Sequence, residues 1–252
     1  EIGVYQYVIT NPSAAMDIFD NAAGVLGSDG IPDGFPDVQR SYNAFELTLE
    51  KRFAQGFQFL ANYRLAKVWG NWEGLFRNDN GQDDPFITSL FDFRDDASHV
   101  LAASYIPGYL NTDRRHVLNF NGSYTMPNKL TFGIGARMTS GYPLTPVGTH
   151  PASGYGDGEI PGVLPDGTHV TRGYAGRSDW INNIDMHADY PFTFGDNYRL
   201  RFAVDMFNVF NLKKTSEVDL QSQLSGEPYE DYLTPLTIQR PFNMRFSIRF
   251  EF

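Results

Sequence analysis

FNMRFSIRFEF, residues 242–252, alternates without an exception: Phe242, Met244, Phe246, Ile248, Phe250 and Phe252 against Asn243, Arg245, Ser247, Arg249 and Glu251. A period of two places successive side chains on opposite faces of an extended strand, so one face is wholly apolar and the other wholly polar. Six large apolar residues on one face of a single strand need either an extensive core or hydrocarbon to cover them.

The same rhythm recurs upstream. Phe57, Phe59, Ala61, Tyr63 and Leu65 alternate with polar residues broken only by Leu60; Leu130, Phe132, Ile134, Ala136 and Met138 do so around Gly133, Gly135 and Arg137; Tyr198, Leu200, Phe202, Val204 and Met206 do so around Arg199, Arg201 and Asp205. Weaker alternation completes eight predicted strands, at about 2–10, 41–53, 57–68, 115–125, 129–140, 181–191, 197–208 and 241–252. Short connections at Ala54-Gln55-Gly56, Met126-Pro127-Asn128 and Phe192 to Asp196 alternate with long loops at about 11–39, 70–114, 141–180 and 209–240. Short turns on one side and long loops on the other are the pattern of outer-membrane barrels, and aromatics beside the short turns match their interfacial girdle.

Composition agrees. Phe, Tyr and Trp make up 15% of 252 residues and Gly numbers 24, while mean hydropathy is only −0.36. No apolar run approaches the roughly 20 residues of a membrane-spanning helix, but barrel strands need only about 9–11. Cysteine is absent, which excludes thiolate chemistry and Cys-held metals. The formal charge of −10 argues against nucleic acid as a partner. The long loops hold more than this net charge, so the strands between them are net basic. Arg64, Arg137, Arg199, Arg201, Arg245 and Arg249 fall on polar faces and are expected to face a hydrated lumen, because arginine facing lipid at the midplane costs about 2–4 kcal/mol. Asp185, His187 and Asp205 share those faces and complete the predicted polar network. Lys51 is out of phase, placed where its stem can reach the headgroups beside a short turn.

Particular strings add a resemblance. YNAFELTLEKRFAQGFQFLANYRLAK (42–67), DRRHVLNFNGSYTMP (113–127), TSGYPLTP (139–146), DMFNVFN (205–211) and a final strand ending in Phe252 resemble the C-terminal part of TonB-dependent outer-membrane receptors, in particular the Oar-like, carboxypeptidase-regulatory-like branch. The resemblance implies an all-β, antiparallel transmembrane barrel in which residues 1–252 are one segment, about eight strands of a 22-stranded barrel lacking plug and N-terminal strands. It also implies the outer membrane of a diderm bacterium as location, outer-membrane lipid, a plug domain and TonB as partners, and Phe252 as part of the signal read by the barrel-assembly machinery. Eight is an even number, so a small self-closed barrel is also geometrically permitted. A structural or interaction module contacting other envelope proteins is therefore the alternative to TonB-dependent uptake.

Other candidates weigh less. Asp79, Asp83 and Asp84 cluster around Gly81 with oxygen chemistry suited to Ca²⁺, yet the spacing departs from the EF-hand pattern and a solvated acidic loop is the default. Gly154 to Gly162 lacks the strand, helix and lysine of a phosphate loop. His187 with Asp185 would support acid–base chemistry only if a nucleophile converged on them, and G-x-S-x-G, H-E-x-x-H and S-x-x-K are all missing. The expectation is no enzyme activity, no metal and no cofactor. Trp69 and Trp72 are expected to anchor at the outer interface.

Overall fold

The computed structural model of the chain describes residues 39–72, 106–149, 160–195 and 198–252. Fourteen strands follow in order: β1 (Arg40–Ala54), β2 (Phe57–Gly70), β3 (Gly108–Tyr109), β4 (His116–Thr125), β5 (Thr131–Thr139), β6 (Val147–Gly148), β7 (Ile160–Pro161), β8 (Ile181–Phe194), β9 (Tyr198–Phe207), β10 (Thr215–Val218), β11 (Gln223–Leu224), β12 (Glu227–Pro228), β13 (Pro235–Ile238) and β14 (Asn243–Glu251). The seven long ones form an antiparallel sheet in the order β1-β2-β4-β5-β8-β9-β14, with β3 added to β2. These correspond to seven of the eight predicted strands; the segment at 2–10 lies outside the described residues, as do Asp79, Asp83 and Asp84.

Register turns the sequence alternation into two continuous surfaces. Leu49, Ala61, Phe120, Ala136 and Ile184 stand side by side across five strands. Further along, Tyr190, Phe202 and Ile248 do the same. Directly opposite residues share a face, so one apolar sheet surface runs from β1 to β14. That surface is exposed, with Phe45, Leu47, Leu49, Ile134, Phe202, Phe246 and Ile248 all accessible.

The buried apolar residues lie elsewhere. Among the described residues, Leu110, Tyr142, Leu144, Val147, Val163 and Leu220 are in the long connections, and only Ala66, Val68 and Val117 come from long strands. A water-soluble sheet protein buries its apolar strand face; here the strand face is open and the compact core belongs to the loops. Hydrocarbon covering the strands removes the contradiction.

Local chemistry explains the turns. Ala54 pairs with Phe57, and Gln55 and Gly56 both have positive φ, 56° and 77°, as a two-residue hairpin turn requires. Lys51 turns its ammonium back to this turn, 3.4 Å from the carbonyl oxygens of Ala54 and Phe57. Beside the turns, Tyr198 and Phe250 stack at 6.0 Å, and Phe250 lies 5.8 Å from Phe252. The interior glycine Gly122 is covered: Phe59 is its direct partner across the strands, and the ring of Phe59 stacks on Phe120 at 5.9 Å. Aromatic cover of a strand glycine restores packing that the missing side chain removes.

Candidate functional site

The polar surface of the sheet carries charge in rows set by register. Arg245, Asp205 and His187 are aligned across β14, β9 and β8. Asp205 accepts from Arg245 Nε and Nη2, both at 3.0 Å, and its other oxygen lies 2.7 Å from His187 Nδ1. His187 Nε2 lies 3.2 Å from Asp189, and Arg201 approaches the same carboxylate at 3.7 Å. Toward the short turns, Glu251 lies 3.6 Å from Arg199 and 3.3 Å from Arg249. Arg201 and Arg249 stand directly opposite each other. Like charges in that position repel, and Asp189 and Glu251 on either side compensate them.

Of the predicted network, seven residues therefore meet in or beside one cluster: His187, Arg199, Arg201, Asp205, Arg245, Arg249 and, through a different partner set, Asp185. The Asp185 carboxylate accepts from Asn183 Nδ2 and from the Asn208 backbone N–H, each at 2.9 Å. His187 points both ring nitrogens at other carboxylates, so the pair does not form a base–orienter couple and neither ring nitrogen faces a hydroxyl. Arg64 and Arg137 lie on the same surface, in β2 and β5, but away from the cluster. Among the described residues, no three His, Asp or Glu side chains converge as a metal site.

Glycines clear the space in front of this cluster. Gly133 pairs with His187 and Gly135 with Asp185. A cavity of about 790 Å³ opens here, lined among others by Gln58, Leu60, Asn121, Ser123, Asp185 and His187. An added Cβ at Gly133 would sit 3.3 Å from the His187 Cβ. Gly133→Val is expected to displace the imidazole and cost about 1–3 kcal/mol by overpacking. Urea titration of the refolded protein measures it, and combination with His187→Gly, which removes the crowded Cβ as well as the ring, should recover most of the loss; an equal loss in the His187 and the His187→Gly backgrounds would refute steric conflict as the cause.

At the other end of the strands, a second arrangement fastens the loops, and sequence reasoning missed it. Asp113 is fully buried. One oxygen accepts the Val68 backbone N–H at 2.6 Å; the other pairs with Arg177 Nη2 and lies 3.9 Å from Arg115. Arg177 Nη1 donates to the Asp113 and Gly141 carbonyls, each at 2.9 Å. Gly141 has no alternative there, since a Cβ would fall on the Ser178 carbonyl. Tyr142 OH accepts the Val218 N–H at 3.0 Å, and Val147 bonds to Leu220 and Ser222 through the backbone. Asn208, in the left-handed region at φ 48°, bonds Leu212 and Arg240 and so joins the two ends of the connection between β9 and β14. The signal was present in the strings around Asp113, Gly141 and Asn208, but their partners lie far away in sequence.

Burial pushes the Tyr142 phenol above the ordinary tyrosine range. Its folded pKa being the higher, the stabilisation is complete below the ordinary value of about 10 and is lost as pH rises through the folded value. Loop packing should therefore weaken in strong alkali, and Tyr142→Phe should flatten that dependence. Phenolate absorbance followed alongside thermal unfolding checks both.

A two-faced antiparallel sheet with an exposed apolar surface, a charged opposite surface, short turns at one end and packed loops at the other defines a segment of an outer-membrane β-barrel. The chain belongs to the outer membrane beta barrel domain family, whose model matches residues 20–182, and its place is the outer membrane of a Gram-negative bacterium. It is also similar to the TonB-dependent transporter Oar of Myxococcus xanthus, with 29% identity over 264 aligned positions covering 88% of this chain. The chain spans 23% of the length of that curated relative.

Proposed function

We propose that the chain forms part of the wall of a TonB-dependent receptor that takes up a solute across the outer membrane. In this reading its polar surface lines the lumen around a plug domain, the network from Arg64 to Arg249 faces that plug or water, and the loop layer meets the solute from outside. The observation that carries the reading is the pairing of a charged inner surface with a loop layer built on its outer end, since a wall serving only as an anchor has no need of either. Similarity to a transporter supports it. Among the described residues β1 and β14 each bond to one long strand only, which supports a place within a wider barrel, 22-stranded in the family resembled. Phe252, 92% exposed at the end of the aromatic patch, is available to the barrel-assembly machinery.

The test uses the full-length protein in its own cells. Spent media from wild-type, receptor-null and TonB-null strains are compared by mass spectrometry. A solute consumed by the wild type and left by both nulls is expected; the absence of any solute shared by the two nulls would sink the uptake reading and favour the interaction module.

A further inference from the structure

The outer rim of the apolar surface holds more positive charge than the described carboxylates beside it neutralise. Lys67 shares the phase of Phe59, Ala61, Tyr63 and Leu65 in β2, the set that faces lipid. From Phe57 to Lys67 is about ten residue steps, and at about 3.3 Å per step and a 40° tilt this lifts Lys67 about 25 Å, the full height of the apolar band. Lys67 thus stands at the outer headgroup level, as Lys51 does at the inner.

The two lysines differ in their surroundings. Lys51 is met by two carbonyls. Lys67, exposed, lies over two aromatic faces, 4.8 Å from the Trp69 ring centroid and 5.6 Å from that of Tyr109. Tyr109 also holds the guanidinium of Arg115 at 5.1 Å and that of Arg177 at 5.3 Å. Aromatic faces position cations without cancelling their charge. The carboxylate of this group, Asp113, is buried and already engaged by Arg177, Arg115 and Val68. Lys67, Arg115 and Arg177 together therefore exceed it. Directly below, Phe45 pairs with Leu65 and Leu47 with Tyr63, an open apolar column suited to acyl chains.

We propose that Lys67, Trp69, Tyr109 and Arg115 form a site for the phosphorylated headgroup of a lipid in the outer leaflet. A phosphomonoester brings a charge between about −1.5 and −2, matching the local excess. The apolar column beneath distinguishes a lipid from free phosphate as the source.

Native mass spectrometry of the full-length protein in mild detergent, titrated with phosphatidic acid and with phosphatidylcholine of the same chains, tests this. Phosphatidic acid should bind preferentially. Lys67→Gln should weaken it about fivefold and Lys67→Glu about 25-fold, from the usual contribution of one surface cation, while Lys67→Arg and Lys51→Gln retain it. Heat-modifiable gel mobility establishes that each variant is folded. Equal binding of the two lipids, or equal losses from Lys51→Gln and Lys67→Gln, would overturn the site. Inorganic phosphate alone binding as tightly as phosphatidic acid would assign the site to free phosphate and overturn the lipid.

Discussion

Replacing Asp113 with alanine is expected to unfasten the loop layer at a cost of about 3–5 kcal/mol, the usual loss when one partner of a buried ion pair is removed. Three groups lose their acceptor together: the Val68 N–H, Arg177 Nη2 and the nearby Arg115. Arg177 keeps its bonds to the Asp113 and Gly141 carbonyls, so its charge stays beneath the loops with no carboxylate to meet it. The sheet itself should stay in the membrane, because its strand pairings do not pass through this carboxylate. Limited trypsin digestion of outer-membrane vesicles separates the two effects: new cleavage in the loops with the strands protected. Asp113→Asn keeps an acceptor for Val68 and should recover part of the loss. Arg177→Met added to Asp113→Asn removes the orphaned charge and should recover more. Asp166, whose carboxylate accepts the Thr168 N–H in an exposed turn, is the control; alanine there should leave the digestion pattern unchanged. Loss of the strands from the membrane in Asp113→Ala would show that the loops are part of the assembly nucleus, contrary to this account.

The strands were legible because hydrocarbon on one side and water on the other impose a period of two on every residue, a constraint that each segment displays alone. Phe242 to Phe252 needs no knowledge of its neighbour to be read. The phase of Lys51 was legible too, since a cation in the apolar column must lie near a headgroup. The loop layer was not. Asp113 and Arg177 are 64 residues apart, and Tyr142 and Val218 are 76 apart. No local period announces such a partner, and acidic, glycine-rich connections read as solvated turns. The polar cluster stood between these cases. Its residues were legible from their phase, whereas the pairing of His187 with Asp205 and Asp189, rather than with Asp185, depends on the register between β8 and β9 and on Asn208 already occupying Asp185.

Arginine placed along β14 should report the solvent of the apolar surface directly. Phe246 and Ile248 are 73% and 70% exposed, and they lie midway between the loop end and the short-turn end of the strand. If water covered them, Phe246→Arg would be close to neutral, since exposed surface substitutions usually fall within about 0.5 kcal/mol. Against hydrocarbon the same change should cost about 2–4 kcal/mol, falling to about 0–1 near the interface. Phe250, two residues from the chain's last residue and stacked in the aromatic patch with Phe194 and Tyr198, is at the interface. Its change to arginine removes ring contacts but lets the guanidinium reach the headgroups. Ser247→Arg, on the charged surface between them, controls for size and for charge in the strand. The expected order of loss is therefore Phe246, then Phe250, then Ser247, measured by reversible denaturation of the full-length protein in lipid vesicles. The depth dependence carries the inference, because a protein layer covering the strand has no reason to impose one. Equal losses at Phe246 and Phe250 would point to such a layer, and near-neutral results at both would point to water; either would remove the physical basis for reading the sheet as a membrane wall.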